Sequence, residues 1–416
     1  MRHVILGNGP AGVVAAETLR RAAPDDEIVL VGCEDSPPYS RMAIPYVLMN
    51  RIGEEGTYLR KSDDHFEKLG IRQVHGKAIR LDDEEREISF DTGGTLTYDR
   101  LLIATGARPV LPHIPGIDLP NVHTCWTLAD ARAIVAKAGP GDRVLQVGAG
   151  FIGCIIMESL VERGVKLTVV EMGDRMVPRM MTPTAGTMIR HWVEKKGVRV
   201  LTSTRVDRIE DGKPMRAHLS TGEAIECDLV IASAGVQPNI NFLAGTRVKV
   251  NHGIIVDARL QSSVPEIYAA GDVVEGPEFG TGKTVSNAIQ PDAADQGRTA
   301  ALNMAGKPAQ SQGSLAMNVL DTMGLISSSF GQWQGTESGE GVETADEATW
   351  KYLSLKFSDD VLIGATAIGL TQHVGALRGL IQNRTHLGPW KDTLLESPGR
   401  FVEAYVSRSK PQAAMR

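Results

Sequence analysis

The chain has 416 residues, of which 42% are hydrophobic and 23% charged, and its net charge is −6. This balance excludes global disorder and gives no electrostatic reason to bind nucleic acid. No apolar run approaches the ~18 residues of a membrane span, and the apolar stretch after Met1 is too short for a signal peptide.

Residues 2–6 read as a short buried strand, 11–22 as a helix and 27–31 as a second strand. Gly7-Asn8-Gly9-Pro10-Ala11-Gly12 stands at the first junction. In such a run the first glycine permits the tight turn, and the second lets backbone approach a pyrophosphate. The third lets the helix pack on the strand, and the helix N-terminus holds the phosphate charge. Glu34, 22 residues after Gly12, supplies a carboxylate for a ribose diol. Cys33 falls at the end of the second strand and is expected there as a packed small hydrophobe.

Leu101–Ile103 is a strand entering the turn Ala104-Thr105-Gly106, and Pro109, Pro112, Pro115 and Pro120 mark a linker. The unit then recurs as strand 143–147, helix 151–163 and strand 166–170. Its fingerprint is Gly148-Ala149-Gly150-Phe151-Ile152-Gly153, with Glu171 18 residues after Gly153. Two fingerprints predict two dinucleotides. A carboxylate at the ribose repels a 2′-phosphate, so NADH is favoured over NADPH, a preference that Arg175 and Arg179 would soften. Residues 228–232 form a further strand, followed by Gly235 in another glycine turn. Glu266–Ala270 is a strand ending in Gly271-Asp272, and 290–306 is a helix. Beyond 320, short strands such as 352–357 and 361–368 indicate a third, α+β domain. Cys33, Cys125, Cys154 and Cys227 are widely spaced. That argues against a disulfide scaffold, a zinc site or an iron–sulfur cluster; no metal is expected, and a reducing cytoplasm is the expected location.

These features together resemble the pyridine nucleotide-disulfide oxidoreductase superfamily of two-dinucleotide-binding flavoproteins, over nearly the whole chain. The resemblance rests on residues 7–12 with Glu34, on 148–153 with Glu171, on Ala104-Thr105-Gly106 before Pro109, and on Tyr268-Ala269-Ala270-Gly271-Asp272. It implies an α/β fold with two Rossmann-like three-layer dinucleotide-binding domains of the glutathione-reductase type, plus a C-terminal α+β interface domain. The FAD-binding domain is then split over 1–115 and 245–320, the NAD-binding domain is 116–244, and 321–416 is the interface domain of a homodimer. The implied FAD contacts are Gly7, Gly9, Pro10, Ala11, Gly12, Glu34, Ala104, Thr105, Gly106 and Gly271, with Asp272 on the ribityl chain. The implied NADH contacts are Gly148, Gly150, Ile152, Gly153, Glu171 and Gly235.

Within the superfamily, Pro38–Tyr46 is similar to the NADH–FAD module of nitrite reductase large subunits and to rubredoxin reductases, which implies that Arg41 lies near the FAD pyrophosphate. Thiol-dependent relatives carry a redox cysteine just before a Gly-Leu-Pro-Tyr-like stretch; here Met42 precedes Ala43-Ile44-Pro45-Tyr46. A thioether forms no thiolate, sulfenate or mixed disulfide. Pro10 stands where the peroxidase and oxidase branch carries a histidine. Ile155 replaces a glutamate common near the nicotinamide, and Glu158 is its nearest substitute.

The expected activity is therefore hydride transfer from NADH to the flavin, with electrons passing to an external acceptor, a small acidic redox protein such as rubredoxin or ferredoxin. The alternatives are direct reduction of a small molecule (O₂, a quinone, a sulfur compound) and a redox-sensing flavoprotein with weak turnover. No protein side chain is assigned as catalytic. Residues 373–416 carry seven Lys/Arg (Arg378, Arg384, Lys391, Arg400, Arg408, Lys410 and Arg416) and three acids, a local +4 suited to steering an acidic carrier. His386 and Trp390 are candidates to approach the flavin from this region.

Overall fold

A computed structural model describes residues 1–370 and 372–409. The chain forms two compact units. One is Met1–Val110 with Trp126–Ala131 and Val236–Ser314; the other is Leu111–Cys125 with Arg132–Gly235 and the chain from Leu315 onward.

The first unit is built on a five-stranded parallel sheet in the order Ile267–Ala269, Arg100–Ile103, Arg2–Leu6, Glu27–Gly32, Ile71–His75. Its central strand ends in the apolar run Val4-Ile5-Leu6, at most 1% exposed, as a strand covered on both faces favours. Helix Pro10–Ala22 crosses between the first two strands. It starts at Pro10 because the missing N–H costs nothing at the first helical position. Its Ala11, Val13, Ala15, Ala16 and Leu19 are buried, and it packs closely on helix Gln290–Met304. All four strands that precede a predicted contact are parallel. Their C-terminal ends therefore bring Gly7, Glu34, Ala104–Gly106 and Gly271-Asp272 to one edge, where ligands of open parallel sheets bind.

The second unit repeats the plan. Its parallel sheet runs Arg199–Leu201, Lys166–Val170, Arg143–Val147, Leu229–Ala232, Val122–His123. The C-terminal ends of its strands lead into Gly148, Glu171 and Gly235. The same unit contains a five-stranded antiparallel sheet in the order Met317–Thr322, Leu325–Gly331, Val361–Ile368, Lys351–Ser358, Glu340–Asp346. Phe330, Leu353, Leu355 and Phe357 form a core there with Leu377, Leu380 and Ile381 of helix Val374–Gln382. Both parallel sheets thus carry Rossmann-like strand–helix–strand units, and the C-terminal region is α+β, as the sequence predicts.

Two three-stranded antiparallel sheets, over 78–97 and 206–227, had no sequence expectation. Their strands are only three to five residues long, too short for alternation to stand out. One expectation is corrected. The second strand ends at Gly32, and Cys33 just beyond it is exposed rather than packed.

Candidate functional site

The glycines of the first fingerprint have different causes. Gly7 has φ +112°, and a Cβ there would stand 2.1 Å from the Ala104 carbonyl oxygen. A Cβ on Gly12 would stand 1.8 Å from the Gly7 oxygen, so both are fixed by protein contacts. Gly9 is not. Its φ is −73°, open to any residue, and no atom lies within 4 Å of its would-be Cβ. What Gly9 leaves is free space in front of a helix whose N-terminus has no side-chain cap. Unpaired amides and the positive end of the helix dipole face that space, which fits a pyrophosphate.

The second fingerprint has the same anatomy. A Cβ on Gly148 would stand 2.5 Å from the Ser233 oxygen and one on Gly153 2.6 Å from the Gly148 oxygen, whereas Gly150 has nothing within 4 Å. Helix Phe151–Glu162 also lacks a side-chain cap. Ile152 is half-buried in its first turn, and Gly235 lies in open space at φ +109°.

The two acids that follow the fingerprints, Glu34 and Glu171, are held differently. Glu34 Oε1 accepts from Arg41 Nη2 at 2.7 Å, and Oε2 accepts from the Tyr39 hydroxyl at 2.6 Å. Burial, reinforced by the Glu34 hydrogen bond, holds the Tyr39 phenol above its ordinary range, so it stays a donor. Arg41 Nη1 donates to the Trp126 carbonyl at 2.7 Å, and its guanidinium lies 5.2 Å from the Trp126 ring centroid and 5.6 Å from that of Tyr39. Glu171 instead bridges the fingerprint turn and its own loop through main-chain amides. Its Oε2 accepts from the Ala149 amide and its Oε1 from the Gly173 amide, both at 2.7 Å. Arg175 is tied to the Met181 and Pro178 carbonyls and to Asp174. Arg179 is exposed, and Met172, directly after Glu171, is 74% exposed.

Around the first fingerprint, Thr105 and Asn239 are joined reciprocally: Thr105 Oγ1 donates to the Asn239 carbonyl and Asn239 Nδ2 to the Thr105 carbonyl, each at 2.9 Å. The Asn239 amide adds a bond to the Gly106 carbonyl. Gly271 sits over the fingerprint helix, where its Cβ would be 3.4 Å from that of Ala11, and its amide donates to Gln296 at 2.8 Å. Burial pushes the Asp272 carboxyl above the usual aspartate range, and Arg41 opposes that shift. Arg41 therefore acts on both Glu34 and Asp272.

Met42 is 49% exposed. Together with Pro10, Val13, Leu59 and Gln290 it lines a largely apolar cavity of about 450 Å³. None of the four cysteines is paired. Burial pushes the Cys154 thiol up to about 12 and Cys227 up to about 11, so both stay protonated at neutral pH. Partial burial and then Glu34 raise the Cys33 thiol as well. Ile155 and Glu158 are both half-buried on helix Phe151–Glu162.

In the C-terminal region, Lys391 pairs with Glu340, Arg400 with Glu403, and Arg408 donates to the Leu387 carbonyl. Arg378 and Arg384 are exposed and have no carboxylate partner among the described residues; Arg378 meets Gln382 at 3.2 Å. Lys410 and Arg416 lie outside the described residues. His386 is paired with Asp360 at 2.7 Å, and Trp390 Nε1 donates to Ser407 at 3.1 Å.

Sequence reasoning gave no role to Tyr39, Trp126 or Asn239. Trp126 had a signal: it precedes Thr127 and Asp130, whose spacing marks a helix start.

The profile of the pyridine nucleotide-disulphide oxidoreductase family matches residues 1–291. The chain is 32% identical over 404 residues to the NADH-dependent phenylglyoxylate dehydrogenase subunit epsilon of Aromatoleum evansii, covering 95% of each chain. It is 32% identical to the ferredoxin–NAD(+) reductase component of the biphenyl dioxygenase system of Paraburkholderia xenovorans, covering 66% of this chain and 67% of that one. Among solved structures, the ferredoxin reductase for the CYP199A2 system of Rhodopseudomonas palustris superposes with a TM-score of 0.81 at 26% identity, over 88% of this chain and 91% of that one. Among the described residues no helix is long and apolar enough to cross a membrane.

Proposed function

The chain belongs to the pyridine nucleotide-disulphide oxidoreductase family and is a pyridine-nucleotide-dependent oxidoreductase; from that premise we propose that it oxidises NADH and passes the electrons, through FAD, to a separate small redox protein of the ferredoxin or rubredoxin kind. FAD, when bound, accepts a hydride and releases its electrons singly or in pairs.

The observation that carries this reading is Met42. It stands where thiol-dependent relatives keep their redox sulfur, and a thioether cannot hold the electrons. Three of the four cysteines are buried, and desolvation and Glu34 hold the thiol of the fourth, Cys33, above its ordinary range, which disfavours the thiolate that redox chemistry needs. Electrons from NADH must therefore leave the chain. The ferredoxin reductase relatives support a protein acceptor, as does the relative that is one subunit of a larger dehydrogenase.

On this reading Gly9, the helix start at Pro10-Ala11, Glu34, Arg41, Ala104–Gly106, Gly271 and Asp272 hold FAD. Gly148, Gly150, Ile152, Gly153, Glu171 and Gly235 hold NADH. The carboxylate of Glu171, with Arg175 tied into its own loop, favours NADH over NADPH. We further propose the domain limits 1–115 with 245–320, 116–244 and 321–416, a homodimer formed through the last of these, and a cytoplasmic location, which the unpaired cysteines support.

The cavity at Met42 favours a second reading. Its volume and apolar walls suit a small-molecule acceptor such as a quinone. Anaerobic stopped-flow separates the two. NADH should bleach the flavin band in one turnover, and reduced protein should then be reoxidised faster by a ferredoxin or rubredoxin than by a quinone or O₂. Failure of NADH to bleach the flavin would overturn both readings.

A further inference from the structure

We propose that Trp126 is a positioning residue for the flavin dinucleotide: it fixes Arg41 on the ribose acid, so that a guanidinium is already in place for the pyrophosphate. The proposal rests on the first fingerprint being the FAD site.

Trp126–Ala131 belongs to the first unit, although the residues on both sides in sequence belong to the second. This short return is pinned at three points. Trp126 Nε1 donates to the Ala107 carbonyl at 3.0 Å, the Leu128 amide donates to the Tyr39 hydroxyl at 3.3 Å, and the Trp126 carbonyl accepts from Arg41. The Trp126 and Thr127 amides both donate to Asp130 Oδ2, at 2.9 and 3.0 Å, which fixes the turn and with it the direction of the indole.

Arg41 needs this support. It lies on a single helical turn, Arg41–Ala43, where nothing in the backbone restricts a long side chain. Two aromatic faces, one carbonyl and one carboxylate hold it instead. A guanidinium stacked on an indole keeps its charge available while losing its freedom to rotate.

The electrostatic reason is specific to this site. Glu34 and Asp272 bring two carboxylates to the edge where a pyrophosphate would add two more charges. Arg41 is the cation that meets Glu34 directly and opposes the shift of Asp272. With Arg41 free to swing away, that cluster of negative charge would face the phosphates with only the helix N-terminus to offset it.

The test is FAD binding to flavin-free protein, with free FAD read by absorbance after ultrafiltration. Trp126→Ala should weaken binding about tenfold, the size of a partly desolvated cation–π contact. Trp126→Phe, which restores an aromatic face for the guanidinium, should recover most of it. In an Arg41→Met background, Trp126→Ala should add less than about twofold, because the group it positions is gone. The KM for NADH of the flavin-loaded variants should stay within about twofold of the native value. Native-like FAD affinity in Trp126→Ala overturns the proposal, as does an equal loss with and without Arg41. A native protein that binds no FAD would overturn the assignment of the first fingerprint instead.

Discussion

The two fingerprints share three glycines at the same spacing, the same glycine contacts and the same uncapped helix, yet their acids are held in opposite ways. Glu34 is gripped by the side chains of Arg41 and Tyr39, with Trp126 behind them. Glu171 is held by main-chain amides, that of Ala149 in the fingerprint turn and that of Gly173 in its own loop. The first arrangement is prebuilt and charge-balanced, as suits a dinucleotide that stays bound. The second has no side-chain scaffold, as suits a nucleotide that enters and leaves in each turnover. An identical local motif thus builds an open, uncapped helix start in each unit, while the surroundings decide how the acid that follows it is held.

The sharpest way to break this comparison is a β-branched side chain at the open glycine of each site. Gly9→Val should reduce FAD retention by at least about 100-fold, since the new side chain fills the only space for the phosphate. Gly150→Val should leave the flavin bound and raise the KM for NADH by about the same factor. The ratio of flavin to protein absorbance and steady-state kinetics check both. Loss of flavin in Gly150→Val would show that the two sites are not separate.

A smaller effect tests the acids. Glu171→Ala combined with Met172→Arg should move the ratio of kcat/KM for NADPH over NADH upward by about 10- to 100-fold, by replacing a repelling carboxylate with a phosphate partner. Glu34→Ala should leave that ratio unchanged and lower FAD affinity instead.

The exposed Arg378 and Arg384 come next. Arg378→Glu with Arg384→Glu should slow reduction of an acidic ferredoxin by about tenfold at low salt, and by less as salt rises. The rate with ferricyanide should be unchanged. A salt-independent, native-like rate with ferredoxin would remove these residues from the docking surface.

The smallest effect concerns Asp272. Burial raises its carboxyl pKa in the folded protein above the unfolded value. The folded apoprotein therefore holds the proton more tightly, and its stability falls as pH rises through the folded-state pKa. Asp272→Asn should raise the apoprotein's Tm by about 2 °C at pH 7, and the gain should vanish below about pH 3, where native Asp272 is protonated in both states. A gain that persists at low pH would separate it from the carboxylate.

Much of this was readable from the chain. The strands Arg2–Leu6 and Arg143–Val147 fall on the expected residues because a parallel strand covered on both faces is built mostly of apolar residues. Helix Pro10–Ala22 starts one residue before the expected limit, at the proline itself. Cys33 was misjudged because the apolar run that precedes it ends at Gly32, and the packing of one residue beyond a strand depends on what the tertiary structure places over it. The return of Trp126–Ala131 to the first unit had no periodic signal, since six residues of turn and helix start carry no face to count.

The sequence by itself determined where glycine turns open two helix starts, which acids follow each turn, and that a methionine stands at position 42. These depend on glycine sterics, on residue type and on spacing along a few turns of backbone, all of which are local. Only the tertiary structure decided that Arg41 joins Glu34 to the influence of Asp272, that Trp126 and Tyr39 hold it there, and that Glu171 has no such frame. Those contacts join residues up to 231 positions apart. Their geometry follows from which strands end at one sheet edge and which loops cross it, and no local pattern encodes that.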